Sequence, residues 1–285
     1  MIIKIKKRII ALSLAVILLI CTIFYACKDI KIPCYASLGD NLPIIMYHQI
    51  IKNENLASEY VLPLSVLESD FKYIKEKGYN AISIADLVAF ANGEKNLPEK
   101  PIIITFDDGQ ESFKEYVIPL LEKYDLCAVV SIIGSATDKF TKTADHNLKY
   151  SHLTWEQIEE ISKNPRVEIG NHTYDMHKND GGRKGCNIIK GENVDIYKEK
   201  LTDDLKKLQD TIKEHTGNEP IVIAYPYGEH CQATNQVIEK LGFKASLTCA
   251  QTQNHLQEGT QWLFNLGRFN RAYGKSSEDF FAKIL

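Results

Sequence analysis

The chain has 285 residues, 44% apolar and 25% charged, with a formal net charge of −3. This balance excludes a disordered, collagen-like or disulfide-knot chain and leaves enough apolar residues for a sizeable core. The first 36 residues carry six Lys/Arg and one Asp; without them 28 basic residues face 36 acidic ones, a net charge of −8. So acidic a body argues against a nucleic-acid binder.

Lys4, Lys6, Lys7 and Arg8 precede an apolar run over residues 9–26. The run suits either a signal peptide, with small residues Ala26 and Ala36 before a cut, or a single membrane anchor left in place. Either way the positive flank stays in the cytoplasm and the body works outside it, secreted or anchored. Residues 1–36 are therefore read as leader or anchor and 40–285 as one exported domain. In that body Cys127, Cys186, Cys231 and Cys249 form no C-x-x-C pair, so they are read as thiols or an incidental bridge.

From residue 43 onward, strands are predicted over 44–47, 81–84, 102–106, 129–133, 167–169, 221–225 and 244–247. Helices are predicted over 63–77, 86–91, 154–161, 195–215 and 236–241, with another running toward Leu121. Gly78 and Gly217 stop two of them, and Thr154 with Gln157 resembles a capping box. Ile- and Val-rich strands that alternate with helices imply a parallel sheet covered on its faces. The repetition predicts a single (β/α) barrel, in which active sites collect at the C-terminal ends of the strands.

Three strand ends carry chemistry. The apolar 102–106 strand runs into Asp107, Asp108 and Gly109, two adjacent carboxylates whose burial is costly without a partner. One can hold a cation while the other acts as a base; the plain alternative is a solvated Asp-Gly turn. The second end carries His172 and His177, five apart and so not an i, i+4 helical pair. Brought together by a turn with Asp107 or Asp108, they offer two nitrogens and an oxygen, a set for Zn²⁺ or another divalent transition metal. The third end, Tyr225, Pro226, Tyr227 and Gly228, fixes a turn with two aromatic rings that can wall a sugar site or simply pack. His146, His152, His215, His230 and His255 are read as ordinary structural histidines. Residues 178–193 form a polar, glycine-rich loop beside the cleft, and Asn171, His172 and Thr173 spell a glycosylation acceptor.

The order and spacing of these motifs resemble polysaccharide deacetylases of carbohydrate esterase family four, the NodB-type domain, over roughly residues 43–273. The resemblance implies a distorted (β/α)₇ barrel. It also implies Asp108, His172 and His177 as metal ligands, Asp107 as general base, and the Tyr227 backbone with Tyr225 and Pro226 around the substrate oxyanion. The metal implied is Zn²⁺, with Co²⁺, Ni²⁺ or Mn²⁺ as alternatives. The chain departs from the pattern in a histidine interval of five rather than four, in Ala224 where an arginine is usual, and in lacking a C-terminal Leu-x-His motif. The segment ending Met46-Tyr47-His48 resembles the permuted branch that includes poly-N-acetylglucosamine deacetylases. That likeness implies His48 as general acid, and the same reasoning offers Arg268 as the group that orients Asp107. The expected function is hydrolysis of N-acetyl groups on a wall or extracellular glycan by a monomer, with membrane contact only through an uncleaved leader. A glycan-binding pseudoenzyme and a small-molecule amidohydrolase are the alternatives.

Overall fold

The structure is a computed structural model that describes residues 35–285. The apolar run at 9–26 lies outside them, and among the described residues no helix is long and apolar enough to cross a membrane. Ala36, at the end of the predicted leader, donates to the Leu97 carbonyl at 3.0 Å.

Seven parallel strands build the core: β1 (Ile44–Tyr47), β2 (Pro101–Phe106), β3 (Ala128–Ile132), β4 (Val167–Asn171), β5 (Val222–Ala224), β6 (Ala245–Leu247) and β7 (Phe269–Asn270). Their order in the sheet is β6-β5-β4-β3-β2-β1-β7. Just before β7, Leu266 donates to Ser246 and accepts from Thr248, each at 2.9 Å. The last strand thus touches both the first strand and β6, and the sheet curls into the expected distorted barrel.

Strand alternation sorts the side chains. Ile102, Ile104 and Phe106 pack outward with Leu67, Phe71 and Leu121 of the helical layer, while Ile103 joins Ile44, Val129, Val222 and Ala245. Each fully buried side chain of this size contributes about 1.5–3 kcal/mol. Helices α1 (Leu64–Glu76), α2 (Ile84–Ala91), α3 (Ile118–Lys123), α4 (Gly134–Thr143), α5 (Trp155–Ser162), α6 (Val194–Thr216) and α7 (Gln232–Lys240) cover the sheet, and Ser277–Phe281 closes the chain.

Most expected elements form, with informative differences. The strand expected at 81–84 is only Asn80–Ala81, because Ser83 caps α2 and Asp86 caps it back, starting the helix at Ile84. The helix toward Leu121 opens as a π turn over Phe113–Val117 before α3, where Pro119 cannot donate its own backbone bond. Helix α4 has a weak sequence signal; it opens at Gly134, where a Cβ would meet the Tyr174 ring at 2.4 Å. The capping box at Thr154 and Gln157 and the left-handed Gly217 after α6 are present. All four body cysteines are free thiols.

At the barrel end away from the chemical residues, Glu168 of β4 accepts from the Ile84 N–H at the start of α2, 2.8 Å. Burial pushes its carboxyl up to about 7, against the opposing backbone hydrogen bonds. A carboxyl raised in the folded state takes up a proton more readily there than in the unfolded chain. Stability should therefore fall as pH rises from the ordinary value of 4.5 through about 7. Glu168→Gln keeps an acceptor and removes the titration. Thermal melting should place it above the unsubstituted protein near pH 8, with the gap shrinking toward pH 5.

Candidate active site

The C-terminal strand ends meet in a cleft of about 420 Å³ that exposes His48, Asp107, Asp108, His172, His177 and Tyr227. Asp107 continues the β2 ladder, its N–H donating to the Tyr47 carbonyl at 3.0 Å. The backbone then leaves the strand: Asp108 has φ 70° and Gly109 φ 65°. A Cβ on Gly109 would lie 2.8 Å from Ile132, so glycine is required there. This break turns both adjacent carboxylates into one cleft, which a continued strand would not do. His152 secures the turn by donating Nδ1–H to the Asp108 carbonyl at 2.7 Å.

Arg268 reaches Asp107 from the segment before β7. Its Nη1 and Nη2 donate to Oδ1 and Oδ2 at 2.7 and 2.8 Å, and its Nε donates to the Thr248 carbonyl at 2.8 Å. Arginine and carboxylate are 0% and 2% exposed. Burial favours the neutral acid, but Arg268 and His172 outweigh it and hold Asp107 below the usual carboxylate range.

Asp108 Oδ1 lies 3.4 Å from His172 Nε2 and 3.3 Å from His177 Nε2. The three ligand atoms fall within 4.8 Å of one another. His172 is oriented by Nδ1–H donation to the Ala224 carbonyl at 2.7 Å, which leaves its Nε2 lone pair facing the cleft. Asp108 Oδ1 itself is buried without a geometrically sound hydrogen bond. A carboxylate oxygen left over between two imidazole nitrogens is what a divalent cation needs, so these residues fit a metal. Burial opposes the Asp108 charge, yet the two histidines hold its carboxyl well below the ordinary range. For His172, burial is outweighed by Asp107 and Asp108, and its pKa is raised. Protons and a cation therefore compete for the same nitrogens.

The five-residue histidine interval is built by a turn that hydrogen bonds hold from within and from α6. Asn171 Oδ1 accepts from the Thr173 N–H at 2.8 Å, and Thr173 takes φ 70°. Asp204 of α6 then accepts from the Tyr174 and Asp175 N–H groups, both at 2.8 Å. Asn171 is fully buried and committed to this turn, so the apparent glycosylation acceptor is not available.

His48 lies in the cleft with Nδ1 buried and unpartnered. Burial pulls its pKa down, and the two aspartates recover only part of the loss. Tyr227 is 41% exposed, its ring 4.8 Å from that of His177. Neither the Tyr225 nor the Pro226 side chain lines the cleft: Tyr225 is 0% exposed, in a core cluster with its hydroxyl on Asn235 at 3.1 Å, and Pro226 is buried. The β5 direction points this ring into the helical layer, so only Tyr227 offers a face. In the polar loop Arg183 is engaged by Glu192 at 2.6 and 2.7 Å, and Lys184 alone reaches the cleft. Glu59, Tyr60, Cys249 and Gln251 also line it; no motif marks them in the sequence.

Residues 94–246 match the family model described as polysaccharide deacetylase. The chain belongs to the polysaccharide deacetylase family. Among its relatives is the poly-β-1,6-N-acetyl-D-glucosamine N-deacetylase of Escherichia coli K12, 28% identical over 202 residues, 65% of this chain and 30% of that protein. The chain thus spans about a third of that relative's length. The Staphylococcus aureus MRSA252 protein of the same name is 28% identical over 65% of this chain and 60% of its own. The fold is shared with a de-N-acetylase from Aggregatibacter actinomycetemcomitans at a TM-score of 0.71, with 22% identity, 86% of this chain and all of that one. IcaB from Ammonifex degensii gives 0.68 at 23% identity, covering 83% and 94%.

For this deacetylase-family site, calorimetric titration with Zn²⁺ should give one ion per chain. Asp108→Asn or His172→Ala should lose more than the roughly 10–100-fold typical of an outer-shell change. Asp204→Ala, which frees the loop between the histidines, should fall within that outer-shell range.

Proposed function

We propose that this protein is a metal-dependent hydrolase that removes N-acetyl groups from N-acetylglucosamine units of a polysaccharide, with poly-β-1,6-N-acetylglucosamine as the first candidate. The observation that carries the reading is an ionised Asp107, locked by Arg268, beside the Asp108, His172 and His177 ligand set. The names of the E. coli and S. aureus relatives support the choice of glycan.

A divalent cation on those three ligands supplies Lewis-acid polarisation of the acetyl carbonyl and acidifies water, with Zn²⁺ favoured and Co²⁺, Ni²⁺ or Mn²⁺ also suited to the donors. Asp107 is ionised at neutral pH and takes the proton of the attacking water. Its two oxygens are both held by Arg268, so the carboxylate cannot rotate away. The backbone N–H at Tyr227 donates to the carbonyl oxygen as that atom gains charge. His48 gives a proton to the departing nitrogen; its lowered pKa makes the imidazolium scarcer and a stronger acid. The C–N bond breaks, and acetate and a free amino sugar leave.

The intact base and ligand set speak against a glycan-binding pseudoenzyme. Half-exposed rings at Tyr60 and Tyr227 on the cleft suit a polymer better than a small enclosed ligand. Export by residues 1–36 and action outside the cytoplasm, supported by the basic and apolar start of the chain, and a monomeric domain over 40–285 complete the proposal.

The test is acetate release from N-acetylglucosamine oligomers. Activity should disappear with chelator and return with Zn²⁺, and Asp107→Asn and His48→Ala should each cost roughly 10²–10⁴-fold in kcat. Release that ignores chelator, or an unimpaired Asp107→Asn protein, defeats the reading.

A further inference from the structure

The two walls of the cleft are chemically unlike. On one side Lys184 lies over the Tyr227 ring, 5.9 Å from its centroid, with its ammonium held by Glu229 at 3.0 Å. On the other side stand Glu59 and Tyr60, at the end of the strap joining strands Gln49–Ile51 and Val61–Pro63. Tyr60 is 51% exposed and meets the His48 ring edge-on, 4.8 Å between centroids at 68°. The strap is fixed in place: the Gln49 N–H donates to the Tyr60 carbonyl at 3.1 Å, and the Ser58 N–H to Val61 at 2.9 Å. Glu59 and Tyr60 are neighbours in the chain, both exposed and both on the wall of the cleft. Among the described residues Glu59 has no ion-pair partner, whereas Asp107 is committed to Arg268 and Glu229 to Lys184.

An exposed ring beside the proposed acid, next to a carboxylate with no ion-pair partner, matches one kind of sugar. The C–H face of a pyranose covers the ring, and a cationic substituent meets the carboxylate. An N-acetylated unit is neutral there and gains nothing from Glu59. A unit whose acetyl group has gone carries an ammonium. We infer that Glu59 and Tyr60 form a second sugar subsite, beside the reacting unit, that takes a glucosamine whose amine is already free. The inference rests on the deacetylation proposed above and deepens it: the product of one turnover becomes the recognition element for the next. Deacetylation should then spread in blocks along a chain.

The full-length protein can be tested on two N-acetylglucosamine pentamers, one fully acetylated and one with a single free amine. Partly exposed ion pairs give roughly two- to fivefold effects, so kcat/KM should favour the second pentamer by about that much. The preference should shrink as salt is raised. Glu59→Gln should bring the ratio to one and Glu59→Lys should invert it. Tyr60→Leu should raise KM for both pentamers by up to roughly tenfold with kcat largely kept, while Tyr60→Phe, which retains the ring, should stay near the starting KM. A ratio of one in the unsubstituted protein, or one that survives Glu59→Gln, overturns the subsite. Calorimetric binding of the same pentamers keeps the two readings apart. Absence of acetate release defeats the proposed reaction, and equal affinity for both pentamers defeats the subsite.

Discussion

The doubly hydrogen-bonded pair of Arg268 and Asp107 is the contact on which the rest of the site depends. Two charges this deeply buried are tolerable only because each satisfies the other, and losing one partner of such a pair costs about 3–5 kcal/mol. The pair joins the last strand of the barrel to the second, so it fastens the sheet where it curls shut and keeps Asp107 ionised. The same Arg268 is bound to the Thr248 carbonyl beyond β6, which draws a third part of the ring into the arrangement. Fold closure and the state of the proposed base are thus one interaction.

Around that pair, three strand ends adopt left-handed backbone at non-glycine residues: Asp108, Thr173 and Tyr227. Such conformations cost on the order of 1–3 kcal/mol each and persist only when their surroundings over-determine them. The surroundings are identifiable. His152 and Gly109 fix the first, Asn171 and Asp204 the second, and the close approach of Gly228 to Cys249, where a Cβ would lie 2.6 Å from the Cys249 nitrogen, the third. Each break redirects a side chain that a regular strand would have sent elsewhere. Together they aim the Asp108 carboxylate, two imidazoles and an aromatic face into one cleft.

The acidity of the chain acquires a local meaning from this arrangement. The carboxylates of the cleft are not equivalent: Asp107 is neutralised by Arg268, Asp108 faces the histidines, and Glu59 has no ion-pair partner among the described residues. The opposite end of the barrel uses its half-buried carboxyl differently, as Glu168 closes the floor by holding the start of α2. One end is arranged for chemistry and the other for stability, as the direction of parallel strands in a barrel dictates.

Much was legible in the sequence because it is local. Apolar runs bounded by glycine give the strands and helices, and the Asp107-Asp108, His172 and Tyr227 motifs fall at strand ends because a parallel barrel puts them there. Asp107, Asp108, His172 and His177 need no distant residue to be noticed. Nothing within its own segment marks Arg268; only the arginine absent at Ala224 points to it. What the tertiary structure alone decided is long-range: His152 beneath Asp108, Asp204 behind the histidine loop, Glu59 and Tyr60 on the facing wall, and the burial of Tyr225. His152 lies 44 positions from Asp108 and Asp204 lies 30 from Tyr174, too far for a local pattern to connect them. A one-dimensional pattern records which side chains a strand end can offer, but only the closure of the sheet determines which of them face one another.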